Sequence, residues 1–158
     1  MILKSFELNK LNLNNHNFYL FYGDNEGFKD EVIKNLFGKN YLDKIHRYEE
    51  KEILDNTNNF FNTVLTKSFF DNEKLIIINR ATDKIREVVE ELIKKNPEDI
   101  KIILNSKNLE KKSTLRKFFE KEKSTICVPF YEDNNQTLNS IISLFLRDKK
   151  IPISQQLV

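Results

Sequence analysis

The stretch Phe18-Tyr-Leu-Phe-Tyr-Gly-Asp-Asn-Glu-Gly-Phe-Lys-Asp30 decides the reading of this chain. Its first five residues are continuously apolar and stop at Gly23, which is the pattern of a strand buried on both faces of a parallel sheet. Phe28, Val32, Ile33, Leu36 and Phe37 follow at the spacing of one helical face, and Gly38 suits the end of that helix. Strand, glycine turn and helix form the unit in which helix N-termini collect phosphates. A phosphate-binding loop reads G-x-x-x-x-G-K-[ST]. Gly23 fits the first glycine and Lys29 the lysine, but Phe28 stands at the second glycine, Asp30 at the Ser/Thr position, and Gly27 comes one residue early.

Those departures have physical weight. The second glycine lets backbone approach phosphate closely, and a Phe side chain obstructs that approach. The Ser/Thr hydroxyl ligates magnesium, whereas Asp30, with Asp24 and Glu26 in the same loop, faces a polyanion. At ~4 Å and an effective dielectric near 20, each such repulsion is about 4 kcal/mol before screening. The sequence leaves two alternatives to a working loop: a degenerate one, or an unrelated turn with a chance lysine. A nucleotide hydrolase or kinase using Lys29 is the enzyme reading of the same residues. Against it, Leu75–Ile78 is followed by Asn79-Arg80, where a hydrolase carries Asp-Glu for its metal.

Outward from this unit, apolar strands and helical stripes alternate. Ile45–Tyr48, Leu75–Ile78, Ile100–Leu104 and Ile126–Phe130 read as further strands. Leu54, Phe60, Phe61, Val64 and Leu65 suit a helix ending near Lys67. Ile85, Val88, Val89, Leu92 and Ile93 form another stripe, with Asp83 as its expected N-cap and Asn96-Pro97 as its end. Leu115, Phe118 and Phe119 mark a basic helix, and Leu138, Ile141, Ile142, Phe145 and Leu146 a last one. The expectation is a three-layer α/β fold: a parallel five-stranded sheet with helices on both faces.

The composition bounds the function. The 158 residues suit one domain, and 39% hydrophobic content with 13 Phe argues against disorder. Lys plus Arg number 26 against 24 Asp plus Glu, so net charge is +2 and the chain is not a simple polybasic nucleic-acid binder. One Cys permits no internal disulfide, and no apolar run approaches a membrane span; the expected setting is the reducing cytoplasm. The 21 Lys, 20 Asn and 17 Ile share A/T-rich codons with Phe, so Lys and Asn carry little functional signal by abundance alone. Gly and Pro number only 3 each, which leaves turns to Asn and Asp.

Three segments in order are similar to one family. They are the opening FYLFYGDNEGFKDEVI, the segment Leu65-Thr-Lys-Ser-Phe-Phe-Asp-Asn-Glu-Lys-Leu-Ile-Ile-Ile78, and Lys101-Ile-Ile-Leu-Asn-Ser106 followed by Leu109, Lys111-Lys112-Ser113 and Leu115. Together they resemble the delta subunit of the bacterial DNA polymerase III clamp loader, over its N-terminal AAA+-like domain. The resemblance implies residues 1–148 as a clamp-binding domain without ATP hydrolysis and 149–158 as the start of a lid domain. Ile151-Pro-Ile-Ser154 reads independently as the opening of a helix, and we expect the chain to be part of a longer subunit. The family's hydrophobic clamp-binding pair falls on Phe69 and Phe70, beside Ser68. Two adjacent aromatics cannot both enter one core from a strand, although both completing the preceding helix stripe remains open. The implied partners are the sliding clamp (the beta subunit), the delta-prime and gamma/tau subunits in the full-length protein, and DNA through the assembled loader.

Remaining candidates are weaker. Lys107–Lys123 holds seven cations against three Glu, and Lys111, Lys112 and Arg116 are its DNA-facing candidates, against a solvated helix face. Asn105 is expected as a turn residue after its strand. His16 and His46 have no ligand-spaced partners, so no metal is expected, and no cofactor. Cys127 is expected to serve packing.

Overall fold

The structure is a computed structural model and describes residues 1–3, 5, 8, 15–41, 44–66, 73–97 and 99–150. Strand β1 spans Phe18–Tyr22, and all five residues are buried. Asn25 opens α1 (Glu26–Val32), its side-chain oxygen accepting from the Phe28 amide at 3.1 Å. The helix widens into a π-helical stretch over Ile33–Gly38 and continues as α2 (Lys39–Tyr41). Gly38 therefore does not end the helix as expected. The wider turn lets Phe37 reach the sheet, where it is fully buried with its ring 5.1 Å from that of Tyr19.

Next come β2 (Ile45–Glu49), α3 (Glu50–Asp55) and α4 (Thr57–Leu65). The single helix expected here is two. Asn56 leaves helical geometry (φ −148°) and caps α4 by accepting from the Asn59 amide, as its short polar side chain favours. Strand β3 (Lys74–Asn79) leads through a 3-10 turn at Asp83–Ile85 to α5 (Arg86–Lys95), which Asn96 closes in the left-handed conformation. Strand β4 is Ile100–Ser106, α6 Thr114–Lys121, β5 Thr125–Pro129 and α7 Asn135–Asp148.

All five strands are parallel, in the order β2-β3-β4-β1-β5. The sheet buries both faces. Leu20, Tyr22, Ile76, Ile78, Ile102, Leu104 and Cys127 pack under residues of α3 to α6. Tyr19, Phe21, Leu75, Ile77, Ile103, Ile126 and Val128 pack under the α1–α2 region. At ~1.5–3 kcal/mol per buried large side chain, these two layers dominate folding. The edge strand β2 exposes His46 and Arg47, polar residues that suit an edge. Cys127 is buried as packing, and burial pushes its thiol up to about 12.

Asp83 does not cap α5. Thr82 caps the 3-10 turn, and the Asp83 carboxylate instead accepts from the Leu115 amide (3.0 Å) and the Ser113 hydroxyl (2.5 Å), bracing the start of α6. Glu50 makes a similar brace, accepting from the amide and hydroxyl of Thr82. Asn105 lies within β4, in register with Phe21 and Asn79, and so is a strand residue. On α7, Leu138, Ile142 and Phe145 are exposed, and the expected buried stripe is open on that side.

Candidate functional site

The loop after β1 is closed upon itself. Gly23 has φ +125°, and a Cβ there would stand 2.0 Å from the Phe130 carbonyl oxygen, so only glycine fits. That same carbonyl accepts from the Asn25 amide, while the Phe130 amide donates to Tyr22. The Asn25 amide group donates to Asp133 at 2.9 Å. The loop after β1 is thus stitched to the chain leaving β5. Phe28 turns its ring onto Phe130 at 5.4 Å between centroids. Gly27 borders open space, so no close approach explains it, and Asp30 is exposed.

Lys29 is the most informative residue of this loop. It is fully buried, and its ammonium donates to Glu26 (2.9 Å) and to the Ser106 carbonyl at the end of β4 (2.7 Å). A phosphate-loop lysine points to the ligand. Here the charge is committed inside the protein, and a buried cation released from its partners carries a large desolvation cost. No motif signalled Ser106, because a backbone carbonyl leaves no residue-type signature. Across the strand ends, Arg80 (φ +54°) pairs its Nε with Glu49 at 2.6 Å, and the Asn105 side-chain oxygen is buried without a partner. Among the described residues no group of His, Cys, Asp and Glu is arranged to hold a metal.

The other sequence candidates separate. Ser68, Phe69 and Phe70 lie outside the described residues, as do residues 151–158 of the expected lid. The flanks of the aromatic segment are described. Lys74, at the start of β3, donates to the carbonyl of Thr66, just past α4. These two flanks lie at the N-terminal end of β3, opposite the strand ends that carry the Gly23 loop. Lys111 and Lys112 are exposed, with Lys112 3.0 Å from Glu110. Arg116 is mostly buried. It pairs with Glu120 at 2.7 Å, donates to the Leu109 carbonyl and lies 4.8 Å over the Tyr22 ring, a packing role that leaves little of it to solvent.

A parallel five-stranded sheet with a glycine turn and lysine after an interior strand defines a P-loop-type, AAA+-like α/β domain, here with its loop sealed by its own side chains. Residues 19–130 match the family model described as DNA polymerase III, delta subunit, and the chain belongs to that family. Its fold is similar to that of the Bacillus subtilis DNA clamp loader delta protein, at TM-score 0.61 and 13% identity over 85% of this chain. The chain spans 44% of that protein's length. No curated relative matches the sequence. Family membership puts the chain in DNA replication. No helix among the described residues is long and apolar enough to cross a membrane.

Proposed function

We propose that this domain binds the ring-shaped sliding clamp and helps hold it open, through protein contacts and without nucleotide hydrolysis. The observation that supports the contact reading is the family match, whose range of residues 19–130 includes Phe69 and Phe70. An adjacent aromatic pair between a helix and a strand suits an anchor in a partner pocket. The committed ammonium of Lys29 supports the non-catalytic side. The remaining loader subunits, delta-prime and gamma/tau, join through the full-length protein, and DNA is met in the assembled loader. The setting is the cytoplasm.

Replacing Phe69 and Phe70 by Ala should weaken titrated binding to the cognate clamp by about 2–4 kcal/mol per anchor, with circular dichroism unchanged. Unaltered affinity would remove the pair from the interface. Calorimetry with magnesium-ATP should give no heat, whereas saturable binding would restore the hydrolase or kinase reading that uses Lys29.

A further inference from the structure

The fold gathers a second set of cations, distinct from Lys111, Lys112 and Arg116. Arg86 opens α5, Lys117 and Lys121 stand one turn apart on α6, and Lys123 follows its end. With Thr114, Phe118 and Glu122 they line a groove of about 580 Å³. Lys117, Lys121 and Lys123 are exposed and have no carboxylate partner among the described residues. Arg86 approaches Glu90 only at 3.7 Å, and Lys94 competes for the same carboxylate at 3.2 Å. The Arg86 Nε is buried with no acceptor, and its guanidinium carbon lies 5.8 Å from the Phe118 ring centroid. Glu122, the one carboxylate lining the groove, accepts from the Ser124 amide and hydroxyl, which hold its carboxyl below its ordinary value. Its Oε1 is engaged in the turn, and it stands as a single carboxylate against the three lysines and the arginine of the groove.

This wall has donors in excess of acceptors, on a chain whose total charge is close to balanced. Charge concentrated against that background fits a ligand that repeats anionic oxygens along its length. The Arg86 side chain is 42% exposed, and the planar fork of its guanidinium suits phosphate. The half-buried Phe118 ring favours a nucleic acid over an acidic peptide, since bases stack on aromatic faces and carboxylates do not. We propose that the α5–α6 groove binds a single DNA strand, with Arg86, Lys117, Lys121 and Lys123 on its phosphates and Phe118 beside a base. The inference rests on the replication role of the family and is independent of the clamp contact.

The test is fluorescence anisotropy of a short labelled single strand with the 158-residue chain across a salt series. Four phosphate contacts predict that log K falls against log salt with a slope near −3. The pair Lys117→Glu and Lys121→Glu should lower affinity more than about tenfold, and Lys111→Glu with Lys112→Glu, equal in charge but outside the groove, less than about twofold. A duplex should bind more weakly, because its bases are closed to Phe118. Equal losses from the two pairs, displacement by polyglutamate as effective as by unlabelled DNA, or tighter duplex binding would each overturn the assignment. Clamp affinity of the Lys117/Lys121 variant should be unchanged, which separates failure of this inference from failure of the clamp reading.

Discussion

Lys29 and the cations of the α5–α6 groove are opposite uses of the same charge. Lys29 sits where phosphate loops keep their ligand-binding lysine, yet it is fully buried on Glu26 and the Ser106 carbonyl. The groove carries no recognisable motif, yet its lysines are exposed and its arginine has an N–H without an acceptor. The lesson is that position in a motif does not say whether a charge is free to act. Its partners do. A buried cation is held by the surrounding low dielectric, and an exposed one is held only weakly by neighbouring carboxylates.

Variants can break or sharpen this contrast. The largest effect is expected at Gly23. Alanine there meets both a disfavoured φ and the Phe130 carbonyl, which together should cost roughly 3 kcal/mol or more on chemical denaturation. A neutral outcome would mean the loop is not sealed on the β5 exit. Lys29→Ala comes next, at about 2–4 kcal/mol, because it leaves a cavity and deprives the Ser106 carbonyl of its donor. Lys29→Met keeps the volume but still leaves the Ser106 carbonyl without this donor, so it should recover only the cavity part of that loss. If both are silent, the lysine is not structural and the contrast with the groove fails.

Asp83 is expected to give a smaller and pH-dependent effect. Burial opposes its ionisation, but donors on Ser113, Leu115 and Thr114 outweigh burial and hold its carboxyl below the ordinary value. The folded state therefore gains from the carboxylate above about pH 4, and the gain is lost as pH falls through the lower folded value. Asp83→Ala should cost about 1 kcal/mol at neutral pH and converge on the parent in acid. A gap that is constant with pH would assign the loss to packing instead. Least of all, the groove pair Lys117→Glu and Lys121→Glu should shift stability by no more than about 0.5 kcal/mol while changing DNA binding.

Much of the fold was legible because its signals are local. FYLFY and LIII are unbroken apolar runs, and parallel strands buried on both faces require such runs. The α5 stripe and its Asn96 end follow the helical period directly. The break at Asn56 does not show in the hydrophobic spacing, because Leu54 and the Phe60 stripe read as continuous and a capping Asn has the same residue type as a surface one. That Asp83 braces α6 and does not cap α5 is hidden from local patterning, because its partners Ser113 and Leu115 are 30 and 32 residues away. Gly38 closes a π-helical stretch whose Phe37 packs against Tyr19 on the sheet, a contact that local spacing does not show.

The sequence by itself determined the strand–helix alternation, the degeneracy of the phosphate loop and the family. All three rest on residue type and order along the chain. The tertiary structure alone decided the strand order, the burial of Lys29 on a β4 carbonyl, the packing of Arg116 over Tyr22 and the gathering of Arg86 with the α6 lysines. Each of these joins residues distant in sequence through backbone carbonyls, ring faces or shared grooves. Such partners leave no spacing to read, and only the packing of helices on the sheet brings them together.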